Sequence, residues 1–361
     1  MSIELPRFRI ERREHVGAGA QIVAVVLSLA ASLLVTAGLV RIVGADVREA
    51  LAGLFLGAFG DKLAVVQGLV KATPLILTGL ATVVAFRGQM WNIGQEGQLY
   101  AGAIVAYWGY LELGWLPSPV LIVAVMAFGL LGGAAWGGLS GILKSKFNVD
   151  EVLSTIMLNY IIGFVLTLLV GAGGPWIQPG QFSPQTRIVS EAARFPVLPG
   201  AGRIHIGFVA AIVAAVVVYF LMEKTALGYE IRAFGSNPTA STFKGIRASR
   251  MFPIIMAISG SLAGLAGVGL VFGEYFRLQP GISPGYGFTG ILVALLANLH
   301  PLAVVPAAVL FGCLDNGAFR MQVLTGVPTA LVSAIQAIIM LFFVGASAAV
   351  RFRIRRVTSA N

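Results

Sequence analysis

Residues 92–98, with the sequence NIGQEGQ, concentrate amides and a carboxylate at the start of an apolar stretch. Polar groups at such depth are costly unless they pair internally or line a water-filled path. The neighbouring glycines permit irregular backbone, which is tolerated there only when protein or a cavity covers it. We therefore expect Asn92, Gln95, Glu96 and Gln98 to line a solute path. The alternative is an ordinary helix N-terminus at which Glu96 complements the helix dipole.

A second polar pair, Asn159 with Tyr160, lies roughly two to three turns into the apolar stretch 151–172. An amide at that depth either bonds a neighbouring helix or faces a solute, and both possibilities stay open. Asn148, with Glu151 three residues on, predicts a capping pair that opens this helix. Several aromatic residues could stack on a purine or a sugar face, although Tyr107 and Trp108 favour an interface belt; they are Tyr107, Trp108, Tyr160, Tyr286 and Phe288.

The segment 223–250 is the most charged internal loop. Its pattern predicts a short helix, a turn at Gly235–Pro238 and a second short helix that ends at Gly245. Asparagine before proline favours a turn, and proline is tolerated at a first helical position. A compact, charged helix–turn–helix suits the docking of a rigid partner, and the alternative is a solvated connector between spans.

Catalytic signatures are missing from the sequence. There is no GxxxxGK[ST] phosphate loop, the three histidines are scattered without metal spacing, and no Ser/His/Asp set can be nominated. The lone Cys313 lies in an apolar run, which is typical of a core position. We expect no enzyme activity, no metal and no cofactor on this chain, so energy for any transport must come from elsewhere.

The elements that position these residues are predicted to be transmembrane helices. The chain is 57% hydrophobic and only 11% charged, whereas soluble domains carry roughly 25% charged residues. Its net charge of +10 is spread between apolar stretches, which argues against a nucleic-acid partner. About ten spans are predicted, at residues 19–43, 63–86, 96–113, 118–143, 151–172, 206–222, 251–273, 286–299, 301–317 and 326–349.

The predicted fold is an all-α, polytopic helical bundle with both termini in the cytoplasm, because Lys and Arg favour that side. Its parts are an N-tail (1–18), a transmembrane domain (19–350) with an external loop (173–205) and the cytoplasmic loop (223–250), and a C-tail (351–361). The first span is too long for a signal peptide and is expected to be retained. The eighth and ninth spans are short and would form either a tight hairpin or a re-entrant pair.

Two further patterns concern helix packing. Small-residue stripes occur at Gly133, Gly137 and Gly141 and at Ser259, Ala263 and Gly267, which predicts close helix contacts or a dimer seam. The second and seventh spans each precede a glycine-interrupted polar start, at 92–98 and 284–290, and run in opposite directions. This favours an inverted-repeat core whose broken helices flank a midplane site. Lys71, within a span, needs an inward partner or snorkelling.

The charged loop resembles the cytoplasmic coupling loop of permeases in the branched-chain amino acid, ribose and nucleoside ABC-importer superfamily. Ser236 and Ser241 depart from the usual pattern, and the matching residues are Gly228, Arg232, Ala233, Gly235, Asn237, Ala240, Gly245 and Ile246. Residues 92–98 are similar to the NIGxEGQ signature of the nucleoside and simple-sugar branch. Residues 148–160 and 284–296 resemble two further runs of that branch.

The resemblance implies a permease subunit of a bacterial ABC importer for nucleosides or related simple sugars, in the inner membrane. A separate ATPase, carrying ATP and Mg²⁺, would dock on residues 224–247. A second permease, identical or different, would complete the path, and a periplasmic or lipid-anchored binding protein would deliver solute near 173–205. The implied coupling residues are Gly228, Arg232, Ala233, Gly235, Asn237, Pro238 and Gly245.

The implied solute-path residues are Asn92, Gln95, Glu96, Gln98, Asn159, Tyr160 and Phe288. The alternative function is an ion-coupled secondary transporter of a small polar solute that acts without an ATPase. Such a protein should carry inward-facing acids or histidines within its spans. Here only Glu96, Glu112 and Asp315 lie near span ends, which disfavours that alternative.

Overall fold

The structure, a computed structural model, describes residues 7–12, 18–180, 183–350 and 352–357. Thirteen α-helices and two short strands account for most of the described chain. They are β1 (Arg7–Arg12), α1 (Ala18–Ile42), α2 (Val47–Phe59), α3 (Lys62–Arg87), α4 (Gln95–Leu113), α5 (Ser118–Phe147), α6 (Glu151–Val170), α7 (Ile206–Lys224), α8 (Ala226–Ser236), α9 (Pro238–Phe243), α10 (Ala248–Val268), α11 (Tyr286–Leu296), α12 (Pro301–Thr325), α13 (Thr329–Val350) and β2 (Phe352–Val357). A π-helical segment, Gly269–Tyr275, continues α10.

The helical bundle predicted from the sequence is confirmed. Within the described residues, six helical segments are long and apolar enough to cross a membrane: Lys62–Arg87, Ser118–Phe147, Glu151–Val170, Ile206–Lys224, Ala248–Tyr275 and Pro301–Thr325. Three shorter apolar helical stretches are Val26–Ile42, Tyr286–Leu296 and Ala330–Ile339. The chain is therefore a multi-pass membrane protein, and the count of ten crossings stays a prediction.

The chain divides into two compact units. In the first, Met1–Gly57 with Gly317–Asn361, α1 packs on α13 and β1 pairs antiparallel with β2. The sequence did not predict this small sheet, because its arginines were interpreted only as an orientation signal. This pairing is compatible with both tails on one side of the membrane, which stays a prediction. The remainder of the tails lies outside the described residues.

The second unit, Ala58–Asn316, holds the packed core. The predicted stripe of α5 packs inside the chain, because Gly133 lies against Gly260 and Gly264 of α10, with no room for a Cβ atom. Gly137 contacts Met256 of α10 in the same way. The predicted stripe of α10 is not its partner: Gly267 lies against Leu99 and Ala103 of α4. Close approach of backbones is how membrane helices gain packing contacts. Both stripes therefore make contacts within the chain, and no dimer seam is needed to explain them.

One predicted span ended too early, and one helix was not predicted. The ninth span was expected to end at residue 317, whereas α12 continues to Thr325. Polar residues interrupted the apolar run, yet the structure accommodates them: Asp315 pairs with Lys71 of α3 at 2.6 Å, and Asn316 Nδ2 lies 3.3 Å from the Ala64 carbonyl. This ion pair also supplies the partner that Lys71 was predicted to need. The helix α2 was missed altogether, since its apolar stretch is short.

The predicted capping pair before α6 was also wrong. Asn148 closes α5 in the left-handed conformation, with φ of +52°, which asparagine adopts more readily than most residues. The cap of α6 is Asp150, whose carboxylate accepts a hydrogen bond from the Leu153 N–H at 3.0 Å. Glu151 pairs instead with Lys144 of α5 at 2.8 Å. The turn is thus fixed by one cap on each side and an ion pair across it.

Two helices, α4 and α11, begin within one turn of each other along α3. Thr78 Oγ1 of α3 donates to the Tyr286 carbonyl at the start of α11, at 3.0 Å. One turn further along α3, Thr82 Oγ1 lies 2.7 Å from the amide of Gln95, the first residue of α4. From there α4 runs toward loop 173–205, while α11 runs toward the Arg87 end of α3. The two helices therefore point in opposite directions, as expected for broken helices of an inverted repeat.

Candidate functional site

The starts of α4 and α11 are joined by Glu96. Its carboxylate accepts a hydrogen bond from the Gly287 N–H at 2.8 Å. Gly287 lies so close to the backbone of Gln95 and Glu96 that a Cβ atom would not fit. Helix N-termini carry partial positive charge and unsatisfied N–H groups, so an anion between two of them is favourable. Glu96 therefore interacts with the N-termini of both α4 and α11, whereas the dipole alternative had assumed an interaction with its own helix alone.

The amide side chains of Asn92, ahead of α4, and of Gln98, in its first turn, hydrogen-bond to each other. Asn92 donates to Gln98 Oε1 at 2.9 Å and to Ser259 Oγ at 2.8 Å, and Gln98 donates back to Asn92 Oδ1 at 3.1 Å. Ser259 in turn donates to the Ala81 carbonyl of α3. Asn92 is completely buried and Gln98 almost so. This network ties α3, α4 and α10 together at the level where α4 begins.

Gln95 completes the attachment of α4 to α3. In the amide orientation that satisfies both of its polar atoms, its nitrogen donates to the Thr78 carbonyl at 2.8 Å and its oxygen accepts from Thr82 Oγ1 at 2.7 Å. Gln95 is fully buried. All four residues predicted to line a solute path in this run thus make internal hydrogen bonds, and Glu96 is the only one of them that is partly exposed.

Asn159 of α6 holds the segment that precedes α4 from the other side. Its Oδ1 accepts from the Gly97 N–H at 2.8 Å, and its Nδ2 donates to the Ile93 carbonyl at 3.1 Å. Gly97 packs directly on Asn159, where a Cβ atom would collide. The structure shows the bond to a neighbouring segment, and because Asn159 also lines the cleft described next, its role in a solute path stays a prediction.

A cleft of about 320 Å³ opens beside Asn159, between α4, α6 and the segment that precedes α11. Tyr160 and Phe164, one helical turn apart on α6, line it with exposures of 63% and 74%. Tyr100 lines the opposite wall, and its hydroxyl accepts from the Ser283 N–H at 3.3 Å. The remaining lining residues are Gly163, Leu166, Thr167, Pro280 and Gly281.

Sequence reasoning found Asn159 and Tyr160 but missed Tyr100, Phe164 and Thr167 of this cleft. The spacing of Tyr160 and Phe164, four residues apart on one helix face, was a usable signal. Phe288, at the start of α11, is 46% exposed but does not line the cleft. Tyr107 and Tyr286, two of the candidate stacking residues, are buried.

The charged loop has the predicted form, since α8 and α9 are separated by Asn237, whose Oδ1 caps α9 by accepting from the Ala240 N–H at 2.9 Å. Helix α8 is packed into the bundle. Gly228 lies against Leu221 and Met222 of α7, and Gly235 lies against the Arg87 carbonyl, both without room for a Cβ atom.

Two further contacts fix α8. Phe234 is buried and meets the ring of Phe252 of α10 edge-on, with ring centroids 5.3 Å apart. Glu223, at the end of α7, binds both Arg87 of α3 and Arg232 of α8. Sequence reasoning nominated Arg232 but missed Glu223, the acid that joins it to the bundle.

Helix α9 protrudes from this base. Most residues from Ser236 to Gly245 are exposed, and Phe243 is 88% exposed. Lys244 Nζ lies 3.3 Å from the hydroxyl of Tyr229, which is itself half-exposed. Gly245 has φ of +84°, a conformation that favours glycine at the end of the motif. An exposed aromatic residue on a polar, firmly attached protrusion is typical of a docking surface. Phe243 was not among the residues nominated from the sequence.

Loop 173–205 is fastened to the π-helical end of α10. The Phe195 N–H donates to the Phe272 carbonyl and the Val189 N–H to the Phe276 carbonyl, each at 2.8 Å. His205 caps α7, with its Nδ1 accepting from the Gly207 N–H at 3.1 Å, and its ring packs on Gly273. Burial disfavours the charged imidazolium and lowers the pKa of His205 to about 4.

Comparison with known proteins agrees with this arrangement. Residues 64–344 match the family described as branched-chain amino acid transport system / permease component. The guanosine ABC transporter permease protein NupP of Bacillus subtilis is 36% identical over 341 residues, which cover 92% of this chain and 94% of that protein. The glucose ABC transporter permease protein TsgB13 of Haloferax volcanii is 30% identical over 365 residues, covering 98% and 94%.

A second permease protein of the B. subtilis guanosine transporter is also similar. This protein, NupQ, is 28% identical over 264 residues, covering 68% of this chain and 78% of NupQ. Two proteins with the same transporter name in one organism are thus both related to this chain.

Proposed function

Since the chain belongs to the family of branched-chain amino acid transport system permease components, we propose that it forms half of the membrane path of an ABC importer for nucleosides. It is a multi-pass membrane permease subunit, and ATP hydrolysis belongs to a separate ATPase subunit. The proposal of a nucleoside substrate rests on the aromatic cleft beside the N-termini of α4 and α11, taken together with the similarity to the guanosine transporter permease.

The cleft suits a flat aromatic base better than a sugar alone. Its polar side chains make internal bonds: Asn159 holds the Gly97 and Ile93 backbone, and Thr167 donates to the Gly163 carbonyl. The most exposed side chains that it offers a solute are the aromatic ones of Tyr160 and Phe164. Base–aromatic stacking contributes about 1–3 kcal/mol per base. A site for a hexose or pentose alone would need several side chains whose hydrogen-bonding groups are not already bonded within the protein. The glucose transporter relative keeps simple sugars as the second candidate.

A second permease is proposed to close this cleft. The wall formed by α6 is open, and Tyr160, Phe164 and Leu168 lie on it with more than half of each side chain exposed. A half-open cleft with an amide and a threonine on its wall is poorly matched to lipid. The presence of two guanosine ABC transporter permease proteins, NupP and NupQ, in one organism supports a heterodimer over a homodimer.

The ATPase is proposed to dock on α8 and α9, residues 224–247, with Phe243 at the centre of the contact. Movement of α8 would reach α3 through Gly235, Arg232 and Glu223, which all bear on the Arg87 end of that helix. The same helix carries Thr78, which bonds the start of α11. Helix α3 alone thus spans the distance from the proposed docking surface on α8 and α9 to the N-termini of α4 and α11. The coupling role of Gly228, Ala233, Asn237, Pro238 and Gly245 rests on the same loop geometry.

The remaining features of the proposal concern location. We infer a bacterial cytoplasmic membrane with both tails inside, supported by the excess of Lys and Arg on the segments assigned to that side. Loop 173–205 would then face outward, where a periplasmic or lipid-anchored binding protein delivers solute. Its backbone bonds to the end of α10 offer that protein a firm platform.

Uptake of radiolabelled guanosine by proteoliposomes that contain the full permease–ATPase complex tests the proposed function. Uptake should require internal ATP and the binding protein, and should be competed by nucleosides more strongly than by pentoses. Phe243→Ala should weaken ATPase binding by tenfold or more, since exposed aromatic anchors contribute roughly 2 kcal/mol or more to such contacts. Phe147→Ala, at an exposed aromatic that ends α5, is the control. ATP-independent uptake would contradict the ABC mechanism.

A further inference from the structure

Helix α11 is bonded to α3 at both of its ends. At its start, the Tyr286 carbonyl accepts a hydrogen bond from Thr78 Oγ1 at 3.0 Å. In the turn that follows its end, the Leu299 carbonyl accepts one from Nε of Arg87, the last residue of α3, at 2.9 Å. One turn into α11, Gly290 lies against Thr78 without room for a Cβ atom. We therefore expect α11 and the second half of α3 to move as one body.

The turn between α11 and α12 has a backbone conformation that its residues seldom adopt. Asn298 and Leu299 have φ of +58° and +55°. Asparagine tolerates this left-handed region, whereas leucine adopts it only at a cost. The Leu299 N–H donates to the Ala294 carbonyl at 2.9 Å, and a cation such as Arg87 is favourable beside the C-terminal end of a helix. The bond from Arg87 thus stabilises a turn that the residues of the turn do not favour by themselves.

The same guanidinium group also reaches the docking loop. Nη1 of Arg87 donates to Oε1 of Glu223 at the end of α7, and Oε2 of Glu223 lies 3.4 Å from Arg232 of α8. The backbone carbonyl of Arg87 packs against Gly235 of α8. Because a guanidinium presents its N–H groups in a fixed plane, one side chain holds the Leu299 carbonyl and the Glu223 carboxylate at a set separation. With 18% of the Arg87 side chain exposed, competition from water for these bonds is limited.

We propose that Arg87 is a positioning residue that connects the docking loop directly to the α11–α12 turn. This inference rests on the proposed function and adds a second connection to it. Movement of α8 reaches the C-terminal end of α11 through the Arg87 side chain, and reaches the start of α11 through α3. The Gly287 N–H of α11 donates to Glu96 of α4, so displacement of α11 acts directly on the contact between the two helix N-termini.

Arg87→Lys keeps the positive charge but replaces a planar set of donors with one nitrogen, which cannot hold both partners in the same geometry. In proteoliposomes that contain the full permease–ATPase complex, we expect about fivefold or more ATP hydrolysed per guanosine transported. Binding of the ATPase should be unchanged, because the exposed residues of α9 are intact. Arg250→Lys, at an exposed arginine near the start of α10, is the matched control.

The ratio separates failure of this inference from failure of the proposed function. A wild-type ratio in Arg87→Lys, with ATP-dependent uptake in both proteins, would overturn the inference and leave the proposed function intact. Absence of ATP-dependent uptake in the wild type would overturn the proposed function, and the inference with it.

Two further variants separate transmission of movement from maintenance of the turn. Leu299→Gly removes the cost of the positive φ, because glycine adopts that region freely. If Arg87 only maintained the turn, adding Leu299→Gly to Arg87→Lys would restore the ratio; we expect the ratio to stay raised, because the connection is still missing. Glu223→Gln should raise the ratio too, and should add little to Arg87→Lys, since both variants break one chain of contacts. Restoration by glycine, or fully additive effects of the Glu223 and Arg87 variants, would overturn the inference.

Discussion

The Glu96 carboxylate accepts a hydrogen bond from the Gly287 N–H at 2.8 Å, across 191 positions of sequence, and so joins the N-terminal ends of the oppositely directed helices α4 and α11. Each helix end presents unsatisfied N–H groups and partial positive charge. One carboxylate thereby stabilises the starts of both helices, next to the cleft proposed to hold the solute. The two ends can move apart only if this bond is broken or replaced.

Glu96→Gln should therefore weaken the contact between the N-termini of α4 and α11 without changing the size of the side chain that forms it. The variant loses a charge-assisted hydrogen bond, and we expect about 1–3 kcal/mol of lost stability in detergent together with a marked fall in uptake. Glu112→Gln, at the exposed far end of α4, is the matched control. Thermal unfolding and guanosine uptake would be measured on both variants. Normal stability and uptake of Glu96→Gln would refute the role given to this carboxylate.

Tyr160→Leu and Phe164→Leu should reduce nucleoside uptake selectively. Each removes a ring from the cleft, and loss of one stacking face corresponds to roughly a tenfold or greater fall in affinity. The readout is the competition profile of uptake, with guanosine set against ribose. Phe220→Leu, at a similarly exposed phenylalanine of α7, should leave that profile unchanged. Equal losses for guanosine and ribose would argue that these rings only pack against a neighbour.

Gly235→Ala should uncouple ATP hydrolysis from transport. The added methyl group would collide with the Arg87 carbonyl and lift α8 from the end of α3, which costs about 1–3 kcal/mol when packing is this tight. Membrane insertion should be normal, because no transmembrane helix is altered. The test is the ratio of ATP hydrolysed to guanosine transported, with exposed Ser236→Ala as the neighbouring control. An unchanged ratio in Gly235→Ala would show that α8 does not transmit the movement.

The sequence predicted the membrane bundle and the α8–Asn237–α9 motif because those features are local. Apolar runs long enough to cross a membrane define spans, and an Asn-Pro turn between short amphipathic segments is fixed by its own residues. Helix α12 shows the limit of such reasoning. Whether Asp315 ends a helix or lies within it depends on Lys71, which is supplied by a different helix.

The candidate site, like the fold, was predicted only where it depends on local sequence. The sequence located the polar run 92–98 but could not tell which of its groups are open to a solute. Asn92 and Gln98 are occupied by each other and by Ser259, a residue of α10 that lies far along the chain. Phe164 became a candidate only when the cleft was seen, because an exposed aromatic on an apolar helix looks the same whether it faces lipid or solute.

The seam between α5 and α10 predicts a contrast between adjacent glycines. Gly137→Ala would drive a methyl group into the Met256 carbonyl of α10, whereas a methyl group at Gly138 would meet only the Ala257 side chain at 3.6 Å, an ordinary contact. We expect the first variant to lose about 1–3 kcal/mol through overpacking. The second should be neutral or gain up to about 1 kcal/mol from helix propensity. Denaturation in mild detergent measures both, and equal stabilities would contradict the tight seam.

His205 predicts a pH dependence for the attachment of loop 173–205. Burial lowers its pKa from 6.5 to about 4, so the folded protein keeps a neutral imidazole while the unfolded chain takes up a proton. The stability from this residue is complete above pH 6.5 and is lost as the pH falls from 6.5 toward 4, by up to about 3 kcal/mol. Asparagine can also cap a helix but does not titrate. The melting temperature of the wild type should therefore fall more steeply over this window than that of His205→Asn, and parallel pH profiles would show that His205 is not the group responsible.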